Sequence, residues 1–163
     1  MATNMFIKIG DIVGESADHK HKDWIEVLSW SHGFSQPSSP VRASQGATVE
    51  KANHSDLSFS KFMDKSSDQI LSKLWSGKQI DKACLEVFRS DGDNVPTKYL
   101  MVEMEKVIVA DYSISAGGGD HPMENVSLAY GKVKYTYIDQ TKEKGTGGGA
   151  RPISHDLTLN KVE

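Results

Sequence analysis

The sequence predicts a mainly β domain, either a two-sheet sandwich or a closed barrel, with one helix covering its mouth or flank. Many short segments alternate apolar and polar residues, as half-buried strands do. Turn residues separate these segments at short intervals, which is typical of all-β folds. Only one segment has the apolar spacing of an amphipathic helix. Together these observations indicate strands packed around one core.

The composition fits a single folded domain spanning residues 1–163 and argues against several classes of protein. Hydrophobic residues make up 37% of the chain and aromatic residues 8%, which is too high for disorder. The 19 basic and 22 acidic residues nearly balance, so we expect no nucleic-acid partner. No stretch approaches the roughly 20 apolar residues of a membrane span, so we expect no direct membrane insertion.

Two features concern the cell compartment. Cys84 is the only cysteine, so an internal disulfide is impossible and a reducing cytoplasm suits the chain. The first residues, MATNMFIKIGD, lack the basic region and the long apolar region of a secretory signal. We therefore expect a protein made in the cytoplasm that, if it leaves the cell, does so without the general export route.

The first two strands are predicted at residues 5–9 and 24–31. In the second strand, alternation places side chains on opposite faces. One face holds Trp24, Leu28 and Trp30. The other holds Ile25, Val27, Ser29 and Ser31. Because both faces carry apolar groups, we expect one face to pack on the core and the other to lie near a partner subunit.

Later strands follow the same pattern. They are predicted at residues 57–59, 82–89, 99–109, 112–115, 126–130, 132–138 and 157–159. The strand at 99–109 changes phase near Lys106, which would suit a bulge.

The single helix is predicted at about residues 66–76. Ser66 and Gln69 have the spacing of a capping box. Ile70, Leu71, Leu74 and Trp75 then form one apolar stripe for packing on a sheet. Gly77 is the natural residue to end the helix.

Two segments read as long loops. Residues 36–53 combine prolines, serines and Gly46 with few apolar residues. A loop this long in a compact domain is usually functional or is ordered from outside the domain. Residues 142–152 are rich in glycine and should be flexible.

The candidate reactive groups each have a simpler explanation. His19 and His21 could bind zinc or nickel with neighbouring carboxylates, but no second ligand cluster accompanies them, and nearby lysines would repel a cation. Cys84 lies mid-strand, where a thiol normally behaves as a small buried hydrophobe. Glu103 and Glu105 share a strand face, as hydrolysis would require, yet a solvated strand face explains them equally well. We therefore expect no metal, no cofactor and no active site.

Glycine triplets occur at residues 117–119 and 147–149. Neither triplet is followed by Lys-Ser or Lys-Thr, and neither joins an apolar strand to a helix. Both are interpreted as turns rather than phosphate-binding loops.

Several motifs occur in the order that one protein family shows. They are MFIKI at 5–9, GES at 14–16, IEVLSWS at 25–31, DLSFSK at 56–61, DKSS at 64–67, GK at 77–78 and ENVSL at 124–128, with Gly33, Tyr135 and Asn160. In these segments the chain resembles the tube protein of the bacterial type VI secretion system, the haemolysin-coregulated protein (Hcp) family. The resemblance covers almost the whole chain. His32 departs from it, because many members have a second Trp there.

The resemblance implies a β-barrel of two packed antiparallel sheets with the helix on its flank and an extended loop at about 36–53. It implies a structural protein that is not an enzyme. Such proteins form homo-hexameric rings that stack into a hollow tube inside a contractile sheath and beneath a spike protein. Sheath contraction drives the tube out of the cell. The lumen carries small effector proteins.

The resemblance and the strand alternation also suggest roles for individual residues. Ser29 and Ser31 are expected to face the lumen. The loop residues expected to contact the neighbouring ring are Gln36, Pro37, Pro40, Arg42, Gln45 and Val49. The expected core comprises Leu28, Trp30, Leu57, Phe59, Ile70, Leu74 and Trp75.

The alternative is a free-standing β-barrel hydrolase or binding protein. It would use Glu103 and Glu105, or the pair of His19 and His21. This alternative predicts a monomer with a pocket and perturbed pKa values, whereas the tube hypothesis predicts ring-shaped particles.

Overall fold

The computed structural model describes residues 3–39, 48–49, 51–90, 95–140 and 147–163. The strands are β1 (Thr3–Ile9), β2 (Ile25–Glu26), β3 (Ser29–Ser31), β4 (Phe34–Ser35), β5 (Ser38–Ser39), β6 (Thr48–Val49), β7 (Asn53–His54), β8 (Leu57–Phe62), β9 (Ile80–Ser90), β10 (Pro96–Ser115), β11 (Met123–Ala129), β12 (Lys132–Gln140), β13 (Gly147–Asp156) and β14 (Lys161–Val162). Helix α1 (Ser67–Ser76) lies between β8 and β9.

The main strands form two antiparallel sheets. Sheet A has the order β2-β1-β9-β10-β12-β13-β14. Sheet B has the order β10-β11-β8-β3. Strand β10 belongs to both sheets, and their inner faces enclose one apolar cluster. The predicted mainly β fold of two packed antiparallel sheets with a flanking helix is confirmed.

Strand β10 changes sheets at Lys106. Before this residue Val102 and Met104 are buried, and after it Val107 and Val109 are buried. Lys106 has a φ of 56°, in the left-handed region, and this conformation shifts the alternation by one residue. The phase change predicted near Lys106 is confirmed, although the register shifts of β10 lie elsewhere, between Lys98 and Leu100 and between Val109 and Asp111.

Gly131 completes this corner between the sheets. Its N–H donates to the Glu105 carbonyl at 3.0 Å. A Cβ at this position would lie 3.2 Å from Cβ of Lys106. A glycine therefore lets the turn between β11 and β12 pack tightly against β10 where its partners change.

The strand predicted at residues 24–31 is two short strands. Strand β2 pairs with β1 in sheet A, whereas β3 pairs with β8 in sheet B. Ile25 and Val27 are buried, and Trp30 packs partly buried against the same core. Leu28, which the sequence placed in the core, is 42% exposed, because the chain changes sheets and phase beside it.

Helix α1 contacts the core through only part of its predicted stripe. Ile70 is fully buried, and Leu74 packs partly buried on the same cluster. Trp75 was also expected in the core, but it is 77% exposed. At about 100° per residue, Trp75 lies about 140° around the helix from Ile70, too far to reach the sheet. Leu57 and Phe59 of β8 are buried in the core.

The ends of α1 match the sequence only in part. Ser66 is the N-cap residue, but its side chain makes no capping hydrogen bond. Its hydroxyl donates to Asp64 instead. Gln69 exchanges two 3.1 Å hydrogen bonds with the backbone of Val13, so the predicted capping box is wrong. Gly77 ends the helix with a φ of 64°, as predicted.

Both predicted loops contain strands. In the first, β4 pairs with β7 and β5 pairs with β6, both antiparallel, and we call these four strands the 34–54 hairpin. In the second, β13 begins at Gly147, so the triplet at 147–149 is part of a strand rather than a turn. Leu157 and Leu159, predicted as a strand, lie in a turn before β14.

A buried ion pair joins sheet B to the helix. Lys61 and Glu124 face each other across β8 and β11 on the core side of the sheet, and both side chains are fully buried. The ammonium group of Lys61 also lies 3.0 Å from Asp64 Oδ1 and 3.3 Å from Ser67 Oγ at the start of α1. Tyr112 donates its hydroxyl hydrogen to Glu124. Each charge therefore has a partner inside the core.

We expect Glu124→Ala to destabilise the chain by about 3–5 kcal/mol, because it leaves the Lys61 charge buried without its carboxylate. Urea-induced unfolding would measure this loss. Asp139→Ala, which removes the exposed partner of Arg151, is the control and should change stability little. A loss no larger than that of the control would contradict the role given to the buried pair.

Candidate functional site

The outer face of sheet B is polar over all four of its strands, and we call it the serine face. Its members are Ser29, Ser31, Ser58, Ser60, Asp111, Ser113, Asn125 and Ser127. In one row Ser29 lies opposite Ser60, Ser60 opposite Asn125, and Asn125 opposite Ser113. In the next row Ser31, Ser58, Ser127 and Asp111 are in register. The serine face contains no Lys or Arg.

Strand alternation explains why these polar groups are together. The residues between them, Trp30, Phe59, Val126 and Tyr112, point to the other side of the sheet and belong to or pack on the core. The face is therefore the outward half of a strictly two-sided sheet.

Hydrogen bonds within the serine face connect neighbouring strands. Oγ of Ser58 lies 2.9 Å from Oγ of Ser127, and Ser60 donates to Oδ1 of Asn125 at 2.5 Å. Ser29 and Ser31, on edge strand β3, are exposed. The surface thus presents short, mostly uncharged groups, some already hydrogen-bonded to each other. Such a surface holds water and offers neither a cationic nor a large apolar contact.

Apolar side chains border the serine face at one end. Phe62 of β8 lies opposite Met123 of β11, and these side chains are 47% and 40% exposed. Met63 and Leu28 are exposed nearby, and Leu28 and Met63 line one depression with His121. The polar surface therefore ends at an apolar rim.

The second notable arrangement lies at the base of the 34–54 hairpin, and we call it the histidine–tyrosine chain. Its members, in order of contact, are Tyr135, His32, Tyr130, His54, His155 and Asn160. They come from separate parts of the sequence: His32 precedes the hairpin, His54 is its last residue in β7, Tyr130 and Tyr135 belong to the β11–β12 region, and His155 lies in β13. The chain therefore connects the hairpin base to sheet A.

Burial dominates the electrostatics of this chain. It lowers the pKa of His32 to about 4. It also lowers the pKa of His54, with further contributions from the charges of His155 and Lys51. The pKa of Tyr135 is raised to about 12 by burial. These shifts favour the uncharged forms of His32, His54 and Tyr135.

The family of the chain follows from comparison with known proteins. Residues 6–137 match the family described as "Type VI secretion system effector, Hcp". Protein hcp1 of Pseudomonas aeruginosa is 39% identical over 162 residues, which cover 99% of this chain and 98% of that protein. The chain belongs to the Hcp family.

Solved structures with similar folds include other Hcp proteins. One described as a type six secretion system protein is 32% identical, has a TM-score of 0.89 and covers 99% of this chain and 100% of its own. Hcp1 from Salmonella typhimurium is 33% identical with a TM-score of 0.82, and the match covers 100% of both chains.

Membership of the Hcp family identifies a secreted, structural protein of type VI secretion rather than an enzyme. The resemblance to this family seen in the sequence is confirmed. Within the part of the chain that the structure describes, no helix is both long and apolar enough to cross a membrane.

The positions of the groups considered for catalysis agree with this conclusion. Cys84 is half-buried in β9, where burial raises the pKa of its thiol to about 12. A thiol with this pKa carries almost no nucleophilic thiolate near neutral pH. Glu103 and Glu105 lie on the outer face of sheet A, and lysines occupy the neighbouring positions. Glu103 lies opposite Lys134, and Glu105 opposite Lys82 and Lys132.

The two candidate histidine ligands do not form a joint site. His19 is exposed, whereas His21 is buried, with ring nitrogens 2.8 Å from Asp18 Oδ2 and 2.7 Å from Glu86 Oε2. The hydrogen bond to His21 lowers the pKa of Asp18. His21 also stacks on Phe6, with ring centroids 4.5 Å apart. Among the residues that the structure describes, no group of three or more His, Cys, Asp or Glu side chains could hold a metal. His21 thus fastens its loop to sheet A.

The structure brings together residues that sequence reasoning did not connect. Ser29 and Ser31 were singled out, but the remaining members of the serine face were not. Of the loop candidates, Gln36 is exposed, Pro37 is half-buried and Val49 belongs to β6. Pro40, Arg42 and Gln45 lie outside the described residues. The histidine–tyrosine chain was missed, because His54 and His155 are 101 residues apart and no local pattern links them.

Proposed function

We propose that this protein is the tube-forming subunit of a type VI secretion system. It is a single domain, six copies of it form a ring, and the rings stack into a hollow tube. In this tube the serine face lines the lumen, and small effector proteins travel inside. The serine face is the observation that carries the lumen assignment. The ring and the tube rest on what the family resemblance implies.

The chemistry of the serine face supports a lumen wall rather than a contact between subunits. Stable interfaces have apolar cores in which aromatic residues are enriched. Hydroxyl groups that hydrogen-bond to one another would instead stay hydrated and bind passing proteins weakly. The outer face of sheet A differs, because Glu103 and Glu105 alternate with lysines of the adjacent strands. Of these two faces, the serine face is better suited to release its cargo.

The 34–54 hairpin supports contact between stacked rings. Its strands pair only with each other among the residues described, and they extend neither sheet A nor sheet B. An isolated two-stranded hairpin is marginally stable in water. A neighbouring ring would supply the surface that the hairpin needs, and Gln36, Pro37, Pro40, Arg42, Gln45 and Val49 remain our candidates for that contact.

The other partners and the route follow from the same proposal. The tube lies inside a contractile sheath and carries a spike protein at its tip. The chain is made in the bacterial cytoplasm and reaches the outside without a signal peptide, because sheath contraction expels the assembled tube.

The mass of the purified protein tests the ring directly. We expect light scattering on a sizing column to give a particle of six chains at neutral pH. A strict monomer at high protein concentration would contradict the ring.

A second prediction concerns the lumen. Ser31→Gln adds a longer amide side chain to the serine face at an exposed edge strand, so rings should form normally while retention of a co-expressed effector falls several-fold. Pull-down of the effector with purified rings would measure retention. Ser72→Gln makes the same change on the exposed side of α1 and serves as the control. Equal retention by the two variants would refute the lumen assignment.

A third prediction concerns stacking. Deleting residues 38–46 removes β5 but leaves the main sheets intact. We expect folded rings with the usual circular dichroism spectrum and much shorter stacks by electron microscopy. Stacks as long as those of the full chain would show that the hairpin does not join rings.

A further inference from the structure

The contacts of the histidine–tyrosine chain form a continuous path. His32 Nδ1 contacts the Tyr135 hydroxyl, and His32 Nε2 lies 2.7 Å from the Tyr130 hydroxyl. The same Tyr130 hydroxyl lies 2.7 Å from His54 Nδ1. His54 Nε2 then lies 2.8 Å from His155 Nδ1.

The path ends at the side-chain amide of Asn160, which presents its oxygen to His155. With Oδ1 of Asn160 accepting at 3.2 Å, Nε2 carries the proton of His155. A neutral His155 then leaves Nδ1 as an acceptor, and His54 Nε2–H must donate to it. His54 Nδ1 accordingly accepts from Tyr130, and His32 follows the same pattern.

All contacts of the histidine–tyrosine chain are therefore consistent with one direction of hydrogen-bond donation and with one protonation state. Tyr135 donates to His32, His32 to Tyr130, Tyr130 to His54, His54 to His155, and His155 to Asn160. Every histidine is neutral and carries its proton on Nε2. A second proton on His155 would place two N–H groups against each other across the 2.8 Å contact with His54.

We propose that the histidine–tyrosine chain is a proton-sensitive attachment. It holds the hairpin base to sheet A while its histidines are neutral, and it releases the hairpin base on acidification. The sensor is the pair of His54 on the hairpin and His155 on β13, whose ring centroids lie 4.9 Å apart. Two positive charges at this separation would repel each other in a site partly shielded from water.

The groups around the pair set the direction of the response. Of the charged residues described, Lys51 disfavours a positive charge on His54, whereas Asp56 acts on Tyr130. Burial comes first among the causes that lower the pKa of His54 below the ordinary 6.5. The attached hairpin thus binds fewer protons than the released one. Attachment is complete above about pH 6.5 and weakens as the pH falls towards the lowered pKa of His54.

His32 has a different part in this arrangement. Its pKa of about 4 keeps it neutral throughout the range in which the pair responds. It therefore serves as the uncharged link between Tyr135 and Tyr130. If the hairpin joins stacked rings, acidification would also loosen stacking; that consequence rests on the proposed function, whereas release of the hairpin base does not.

Hydrogen exchange followed by mass spectrometry tests the attachment in the full chain. Amides at the hairpin base, such as that of Ser55, which donates to the Gly33 carbonyl at 2.9 Å, report on it. After correction for intrinsic rates, we expect protection at residues 33–36 and 53–56 to fall about tenfold or more between about pH 7.5 and about pH 5. Protection of β9 should not change. Equal protection of the hairpin base at the two pH values would overturn the proposal.

Variants identify the groups responsible. The double variant His54→Gln/His155→Gln keeps amide donors and acceptors but has no group that titrates there, so its hairpin base should respond to pH far less. His19→Gln removes an exposed histidine that does not belong to the histidine–tyrosine chain. The hairpin base of this variant should respond to pH as that of the natural protein does. A full response in the double variant would assign the effect to other groups and refute the sensor.

A second measurement does not depend on how the variants fold. Nitrogen-15 NMR of histidine side chains distinguishes the two neutral tautomers. The donation order requires His32, His54 and His155 to carry their protons on Nε2 at neutral pH. An Nδ1–H tautomer or a charged imidazole at any of these positions would contradict the proposed order of hydrogen bonds, whether or not the protein assembles into rings.

Discussion

Strand β10 provides the continuous backbone on which both sheets are built. It pairs with β9 and β12 over its first half and with β11 over its second, and its apolar side changes at Lys106. The left-handed conformation of that residue turns Val107 towards the core after Met104. Since each sheet grows outwards from β10, this change of phase lets the inner faces of the two sheets meet at one core. The close approach of Gly131 then brings β11 and β12 to the same corner.

Buried polar groups determine where the smaller elements attach. Lys61 and Glu124 lie in rows that otherwise face the core, and through Asp64 and Ser67 they fasten the beginning of α1 to sheet B. The histidine–tyrosine chain fastens the hairpin to sheet A in a comparable way. A fully satisfied polar network inside a protein specifies one arrangement, because any other leaves donors or acceptors without partners. The two attachments differ in their charge: one depends on a buried ion pair, and the other on uncharged rings.

The two outer surfaces of the molecule suit different environments. Sheet A presents lysines and glutamates in register, while the serine face of sheet B presents small hydroxyl groups bordered by Phe62 and Met123. In the tube that we propose, this difference gives the subunit one face suited to a channel wall. The hairpin adds a segment whose position depends on contacts at its base. The function that we propose depends on surfaces repeated by assembly rather than on one catalytic pocket.

The sequence by itself determined the family, the mainly β fold, the position of α1 and the phase change near Lys106. The spacing of apolar residues, the residues at helix ends and the order of motifs are all visible in the sequence without knowledge of the fold. It also singled out Ser29 and Ser31 through alternation with Trp30. Only the tertiary structure decided which apolar residues are buried: Leu28 is exposed where the chain changes sheets, and Trp75 because it lies too far around its helix. The tertiary structure alone placed Lys61 opposite Glu124 and His54 beside His155. Such contacts join residues far apart in the chain, so they depend on how the strands are ordered and not on any local pattern.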